Sequence, residues 1–173
     1  MKVILLCGYR SADEGQAPLG LEVDHTGKFL VDRRIYELQC LGFEVICVLS
    51  GDSADQILRK SKRLAEVELV FDTNGFSLAS NLKAGLAATD GESCFVIPIE
   101  VPPPPVALWN FLRESLRTDG FNTKASVYMT QGALWYFPML ITRSGNELIK
   151  ALPEFKSISD SRLNFVAPIE KPL

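Results

Sequence analysis

Glu100 is the only carboxylate in the stretch Pro98-Ile99-Glu100-Val101-Pro102, and it directly follows an apolar run. A carboxylate at the end of a buried strand is a suitable ligand for a hard cation such as Mg²⁺. Proteins commonly hold that ion with one or two carboxylates plus substrate phosphates. A second explanation is that Glu100 caps a helix started by the prolines, where the helix dipole favours a negative charge by about 0.3–1 kcal/mol. Position alone leaves both explanations open.

The segment CGYRSADEGQAPLG, residues 7–20, could form a loop that binds phosphate or a base edge. Its three glycines would let backbone N–H groups approach a ligand closely, and Arg10 could bind phosphate through two hydrogen bonds. A flexible surface loop explains the same composition equally well. A nicotinamide dinucleotide site is disfavoured, because the segment lacks the G-x-G-x-x-G spacing needed for close approach to a pyrophosphate.

The elements that would position these residues can be read from the apolar periodicity. Four short runs rich in Val, Ile and Phe predict buried strands of a parallel sheet, and apolar residues at helical spacing lie between them. Because parallel strands end at the same edge of a sheet, we expect Gly8 and Glu100 to lie close together there. The predicted strands are residues 2–7, 43–49, 67–71 and 93–99; the helical stripes are Val31, Ile35, Leu38 and Leu41; Ile57, Leu58 and Leu64; and Leu78, Leu82 and Leu86.

The second half of the chain has a different pattern. Residues 125–130 and 134–141 flank Gln131-Gly132 and predict an antiparallel hairpin added to the sheet. Helices are predicted from the prolines at 102–105 onward, with an apolar stripe of Trp109, Leu112 and Leu116, and near 144–152. In SLASNLKAGLAA, Ser77 is expected to cap a helix over about 78–89, and Gly85 to allow close contact with the sheet or the first loop. Strands alternating with helices predict an α/β, Rossmann-like three-layer sandwich. The 173 residues are expected to form one domain, 1–173.

Composition excludes some classes of function. A net charge of -3 without a strong basic cluster argues against a nucleic-acid-binding surface. No apolar run reaches the roughly 18 residues that span a bilayer, so we expect a cytoplasmic protein without membrane contact. The lone His25 is expected in a loop rather than at a metal. The four scattered cysteines lack zinc-ligand spacing and are expected in the core: Cys7, Cys40, Cys47 and Cys94.

Most of the chain resembles the MobA-like nucleotidyltransferases, the guanylyl- and cytidylyltransferases of the molybdenum cofactor. The resemblance is carried by VILLCGYRSADEG at the start, DHTGKFLVDRRIYELQCLGFEVICVLSG, SLASNLKAGLAA, VIPIEVP and, near the end, WYFPMLITRSGNELIKAL. It implies a glycosyltransferase-A-like fold and Mg²⁺-dependent transfer of a nucleoside monophosphate from an NTP to a small phosphorylated acceptor, such as a molybdopterin.

The resemblance also implies site residues. The family's first strand leads into Leu-x-Gly-Gly-x-Ser-x-Arg-Met-Gly and then a lysine, and an aspartate in Pro-x-Asp-x-Pro binds the metal. Glu100 stands in the aspartate's place as the implied metal ligand and catalytic residue, with Arg10 supplying positive charge. Asp72 or Asn81 would reach the base or acceptor. The loop residues implied to bind nucleotide are Cys7, Gly8, Tyr9, Ser11 and Gly15.

Several residues depart from the family pattern. Asp13 replaces the motif arginine, Pro18 falls where the lysine should be, and Tyr9 replaces the second glycine. Two classes of function therefore remain. One is a divergent nucleotidyltransferase with weak or lost activity, and the other is a non-catalytic module that binds a small molecule or a partner on the same fold. The charge of the first loop distinguishes them, because a phosphate loop is cationic.

Overall fold

A computed structural model describes most of the chain: residues 1–8, 18–51, 53–73, 77–118, 125–130, 133–151 and 165–166. The strands are β1 (Lys2–Leu6), β2 (Glu44–Ser50), β3 (Glu68–Asp72), β4 (Cys94–Pro98), β5 (Ala125–Thr130), β6 (Ala133–Ile141) and β7 (Phe165–Val166). The helices are α1 (Leu30–Cys40), α2 (Ser53–Lys60), α3 (Leu78–Ala87), α4 (Val106–Thr118) and α5 (Arg143–Ala151), with 3-10 turns at Leu19–Leu21 and Leu64–Glu66.

The strands form one sheet in the order β3-β2-β1-β4-β6-β5-β7. The first four pair in parallel, and Leu6 of β1 stands opposite Pro98 of β4, so that both strands end at the same edge. The hairpin of β5 and β6 joins through antiparallel pairing of β4 with β6. The predicted parallel sheet with an added hairpin is therefore confirmed. The short strand β7, parallel to β5, was not predicted.

Apolar side chains on both faces of the sheet explain the layered structure. Val3 and Leu5 of β1 pack with α1, α2 and α4 on one face, whereas Ile4 and Leu6 pack with α3 and α5 on the other. Successive side chains of a strand point to opposite faces, and a strand covered on both sides must be apolar throughout. The α/β three-layer sandwich is thus confirmed. The single domain 1–173 stays a prediction, because 152–164 and 167–173 lie outside the described residues.

The helix after the prolines begins later than predicted. The prolines at 102–105 were expected to start it, but α4 begins at Val106, directly after the proline run. A residue that precedes a proline is disfavoured in the helical conformation, which applies to Pro102 and to the next two prolines. Pro105 is the first proline followed by another residue type, and its carbonyl accepts a hydrogen bond from the N–H of Leu108 at 3.0 Å. The predicted apolar stripe is confirmed at Trp109 and Leu112, which are buried.

The second helix also differs from its prediction. Leu64 was grouped with Ile57 and Leu58, yet α2 ends at Lys60 and Leu64 lies in a separate 3-10 turn. The carboxylate of Asp32 explains the break, because it accepts hydrogen bonds from the backbone N–H groups of the residues at 62 and 63. Those donors cannot then serve a continuing helix. No helix within the described residues is long and apolar enough to cross a membrane.

Cysteine placement is correct for three of the four residues. Cys7, Cys47 and Cys94 are buried in the core, and the prediction fails for Cys40, which is exposed. Cys40 is the last residue of α1, one position before the helix terminates at Leu41. The buried apolar stripe of α1 does not continue through its last residue. Apolar neighbours in the sequence therefore do not predict burial of Cys40.

The predicted cap and close approach of α3 are both confirmed. The Ser77 hydroxyl accepts a hydrogen bond from the Ser80 N–H at 3.0 Å, which satisfies a donor at the helix start. Gly85 faces β1 and β2, where an added Cβ would lie 2.6 Å from Ile4 Cγ2 and 2.9 Å from Val48 Cγ2. A side chain at this position would therefore push the helix away from the sheet.

We expect Gly85→Ala to lower the free energy of unfolding by about 1–2 kcal/mol, because overpacking costs ~1–3 kcal/mol and outweighs the gain of alanine in helix propensity. Chemical denaturation measures the change. In a double-mutant cycle, Val48→Ala removes one of the two clashing atoms, so the combined variant should lose less than the sum of the single losses. A Gly85→Ala protein more stable than the wild type would contradict the close approach.

Candidate active site at the sheet edge

Gly8 and Glu100 follow the neighbouring strands β1 and β4 at the carboxyl edge of the sheet, as predicted. The N–H of Ile99 donates to the carbonyl of Leu6 at 3.0 Å, which continues the pairing of β1 and β4 past the last strand residues. Glu100 follows in the turn after β4, and Gly8 begins the first loop. Ligands of open α/β sheets bind at this edge, so the pair occupies the expected place for a site.

Burial governs the electrostatics of Glu100. Its side chain is partly buried, and loss of hydration raises the pKa of the carboxyl group above its usual value. The pKa of the neighbouring Cys7 thiol is raised as well, by burial first and then by Cys47 and by the negative charge of Glu100. A cation bound beside Glu100 would oppose this effect, because an opposite charge favours the ionised form.

Side chains that could ligate a metal together with Glu100 do not form a larger cluster within the described residues. No group of three or more His, Cys, Asp or Glu side chains within them could hold a metal ion. Asp72 ends β3, three strand spacings from β4, which is about 14 Å at ~4.8 Å per spacing. The donor set therefore suits a divalent cation shared with the phosphate oxygens of a ligand, rather than one held by protein side chains alone.

A buried chain of hydrogen bonds connects the ends of β1, β2 and β3. The amide nitrogen of Asn81 donates to Asp72 at 2.8 Å, and its oxygen lies 3.3 Å from the Ser50 hydroxyl. That hydroxyl has one hydrogen, which it donates mainly to the closer carbonyl of Gly8, with the Asn81 oxygen as the weaker acceptor of a three-centre hydrogen bond. All three side chains are nearly inaccessible to solvent. The chain therefore fixes the first residue of the loop.

Close packing around Gly8 also fixes the first residue of the loop. An added Cβ would lie 2.4 Å from the backbone nitrogen of Ser50, 2.5 Å from its hydroxyl oxygen and 2.9 Å from its carbonyl oxygen. Only glycine lets β1 and β2 approach this closely at their ends. Gly8 thus has a structural role, in addition to the predicted contact with nucleotide.

The remaining predicted site residues fall into two groups. The Cys7 side chain points into the core, with its sulfur 3.4 Å from that of Cys47, and its N–H donates to the carbonyl of Val48 at 2.9 Å. The thiol and the N–H of Cys7 thus both have partners within the protein, and its contact with nucleotide stays a prediction. The other group lies outside the described residues and stays a prediction: Tyr9, Arg10, Ser11 and Gly15.

Two residues at this edge were missed by the sequence reasoning. Ser50 is a polar residue at the end of an apolar strand, the same signal that pointed to Glu100, and it could have been found. Arg34 gave no such signal, because it lies in the charged stretch DRRIYE of an amphipathic helix. It is nevertheless 7% exposed, and its guanidinium donates to the carbonyl of Ile99.

A groove outside this edge is a weaker candidate. It has a volume of about 610 Å³ and runs along α1 beside the turn that contains His25, which confirms the prediction of a loop histidine. Asp24 closes that turn, and hydrogen bonds from Thr26 and Lys28 lower its pKa to about 2. The groove has four cationic and three anionic side chains, so it has little preference for a polyanion: Lys28, Arg33, Lys62 and Arg63; Asp24, Asp32 and Glu37.

Several solved structures are similar to this chain. Rv0371c from Mycobacterium tuberculosis H37Rv aligns with a TM-score of 0.67 at 17% identity, covering 87% of this chain and 75% of Rv0371c. A structure of Rv0371c in complex with manganese aligns at 0.63 and 16% identity, with the same coverage. HddC from Yersinia pseudotuberculosis, complexed with GMP-PN, aligns at 0.65 and 14% identity over 90% of this chain and 81% of HddC.

A nucleotidyl transferase from Methanothermobacter thermautotroptrophicus aligns with a TM-score of 0.64 at 16% identity, over 90% of this chain and 77% of that protein. No protein-family model and no curated protein matches the sequence. At these identities the similarity establishes the fold. The chain therefore has the α/β fold found in solved nucleotidyltransferases.

Proposed function

We propose that this protein is a divergent, MobA-like nucleotidyltransferase that binds an NTP at the Gly8–Glu100 edge and transfers nucleotide slowly, if at all. The observation that carries the proposal is the juxtaposition of Glu100 with the start of the glycine-containing loop. Glu100 and the backbone N–H groups of the glycine-containing segment after Gly8 could then serve the same triphosphate. The acceptor would be a small phosphorylated molecule of the molybdopterin type.

Each part of the site has a proposed task. Backbone N–H groups of the first loop, with Arg10, hold the triphosphate, and Glu100 together with phosphate oxygens holds Mg²⁺ or another divalent cation. That cation supplies positive charge to the phosphates when it is bound. Asp72 and Asn81 are largely buried, which favours an indirect role in which they hold the loop through Ser50. The proposed direct contact of either residue with the base or acceptor is therefore the less favoured alternative.

The transfer itself is a substitution at the α-phosphorus. A phosphate oxygen of the acceptor forms a bond to that phosphorus, the bond to the bridging oxygen of the β-phosphate breaks, and pyrophosphate leaves with the electron pair. Positioning and compensation of negative charge drive such reactions. The manganese complex of Rv0371c and the GMP-PN complex of HddC support a metal and a nucleotide as ligands for this fold.

Slow transfer follows from the charges of the first loop. Relative to the family motif, Asp13 in place of arginine changes the charge by two units and Pro18 in place of lysine by one. At an effective dielectric of 20, two unit charges ~4 Å apart interact by about 4 kcal/mol, so even heavily screened losses of this kind weaken binding strongly. Glu100 is also one methylene longer than aspartate, and Mg²⁺ demands near-octahedral geometry.

Titration with a panel of NTPs, with and without Mg²⁺ or Mn²⁺, tests the proposal by thermal unfolding and by calorimetry. We expect weak, divalent-dependent binding, and about tenfold tighter binding by the combined variant Asp13→Arg with Pro18→Lys, which restores the motif cations. Pyrophosphate release is measured on the same samples. Absence of NTP binding in both proteins would support the alternative, a non-catalytic module that binds a small molecule or a partner.

A further inference from the structure

Arg34 of α1 is buried against the peptide bond that leads into Glu100. Its Nε donates to the carbonyl oxygen of Ile99 at 3.0 Å, a contact between residues 65 positions apart in sequence. Its Nη1 pairs with Glu37 Oε2 at 2.7 Å. A guanidinium is costly to bury, so a buried one must be compensated by well-placed acceptors. The Ile99 carbonyl is one of those acceptors.

The backbone around Glu100 is fixed on both sides. The N–H of Ile99 donates to the carbonyl of Leu6 in β1, and the carbonyl of Ile99 accepts from Arg34, so both polar groups of this residue are held by different elements. After Glu100, the N–H of Val101 donates to the carbonyl of Pro98 at 3.1 Å. The carbonyl of Ile99 belongs to the same planar peptide unit as the nitrogen of Glu100. Arg34 therefore acts on the orientation of the Glu100 backbone.

We propose that Arg34 is a positioning residue, which holds the Ile99–Glu100 peptide so that the Glu100 carboxylate stays beside the end of β1. The proposal rests on the proposed function insofar as Glu100 binds a metal–nucleotide complex. A glutamate side chain has one more rotatable bond than an aspartate side chain, so its carboxylate can reach more positions. A fixed backbone limits those positions. Arg34 supplies that restriction from α1, a helix that packs on one face of the sheet.

The neighbouring Arg33 provides a matched control. Its Nε pairs with the same Glu37 at 2.7 Å, but Arg33 is much more exposed, and its described contacts are with Glu37 and Asp24. Arg33→Met and Arg34→Met therefore each remove one positive charge and one ion pair with Glu37. Arg33→Met also removes the longer ion pair with Asp24. Only Arg34→Met removes the hydrogen bond to Ile99.

Hydrogen exchange tests the positioning without any ligand. In Arg34→Met we expect roughly tenfold faster exchange at the amides of Ile99 and Val101, the change that loss of a charge-assisted hydrogen bond produces locally. Arg33→Met should leave both amides protected as in the wild type. Equal protection of these amides in the two variants would overturn the proposal, whatever the protein does with nucleotides. Exchange is compared after correction for global stability, measured by denaturation.

Nucleotide titration adds the functional readout. With Mn²⁺ and a non-hydrolysable GTP analogue as probe, we expect Arg34→Met to bind roughly tenfold more weakly than the wild type and Arg33→Met to bind equally. Wild-type-like affinity of Arg34→Met would refute the functional part. If the wild type itself showed no Mn²⁺-dependent binding, the proposed function would fail, and hydrogen exchange would still decide whether Arg34 fixes the Glu100 peptide.

Discussion

Replacing Glu100 with Gln is expected to stabilise the protein at neutral pH and to remove the divalent-dependent part of nucleotide binding. Burial raises the pKa of Glu100, so the folded protein holds the ionised carboxylate unfavourably. The neutral amide of glutamine avoids that cost but is a poor ligand for a hard cation. Loss of a direct ligand should weaken Mn²⁺-dependent NTP binding by roughly tenfold or more, since even indirect partners of metal ligands contribute that much.

The pH dependence of this effect has a definite sign. A carboxyl group with a raised folded-state pKa favours the folded state when protonated, and this contribution is lost as the pH rises through the folded pKa. The stability advantage of Glu100→Gln should therefore be smallest in acid and grow above the usual pKa of a glutamate. Urea denaturation of both proteins over a pH series measures it. Glu22→Gln, at an exposed residue, makes the same charge change and should show neither effect.

If Glu100→Gln stabilised the protein without weakening nucleotide binding, Glu100 would not be a metal ligand. Its role as a charge that caps a helix would then be favoured. The late start of α4 at Val106 already makes that role weaker, because five residues lie between Val106 and Glu100. Robust turnover by the unmodified protein, abolished by Glu100→Gln, would show that the substituted loop still supports family chemistry. In that case the prediction of weak or lost activity would be wrong, and the nucleotidyltransferase function would be supported.

Gly8→Ala is expected to cause the largest loss of stability among these variants. The added Cβ would meet the backbone nitrogen of Ser50 at 2.4 Å, and Ser50 belongs to a buried central strand that cannot move aside. Overpacking typically costs 1–3 kcal/mol, and contact with backbone atoms places this variant at or above that limit, at about 3 kcal/mol or more. The loop that starts at Gly8 should shift with it, so NTP binding should also fall.

Gly20→Ala is the matched control for this prediction. Its added Cβ would meet mainly the end of the Ile57 side chain, 3.2 Å away, which can rotate. We expect a loss of about 1 kcal/mol or less, measured by the same denaturation. Ser50→Gly combined with Gly8→Ala removes the hydroxyl contact and keeps the backbone contact, so it should restore little. Full recovery in that double variant would show that the hydroxyl, and not the strand backbone, excludes a side chain.

The sequence by itself determined the sheet and the edge at which the site lies. Apolar runs of strand length, separated by apolar stripes of helical period, are local patterns that need no knowledge of distant contacts. Parallel pairing then brings the ends of β1 and β4 together by topology alone, so Gly8 and Glu100 could be placed side by side. The Ser77 cap and the Gly85 contact followed from equally local reasoning about helix starts and mid-helix glycine.

Only the tertiary structure decided how that edge is held and how buried its carboxylate is. Arg34 meets Ile99 across 65 positions, and Ser50 meets Gly8 across 42 and Asn81 across 31. Periodicity identifies the face on which a residue lies but not the partner it finds there. An arginine in a charged helix segment looks solvent-exposed until packing brings an acceptor to it. The raised pKa of Glu100 has the same origin, because burial depends on all the elements that cover a residue.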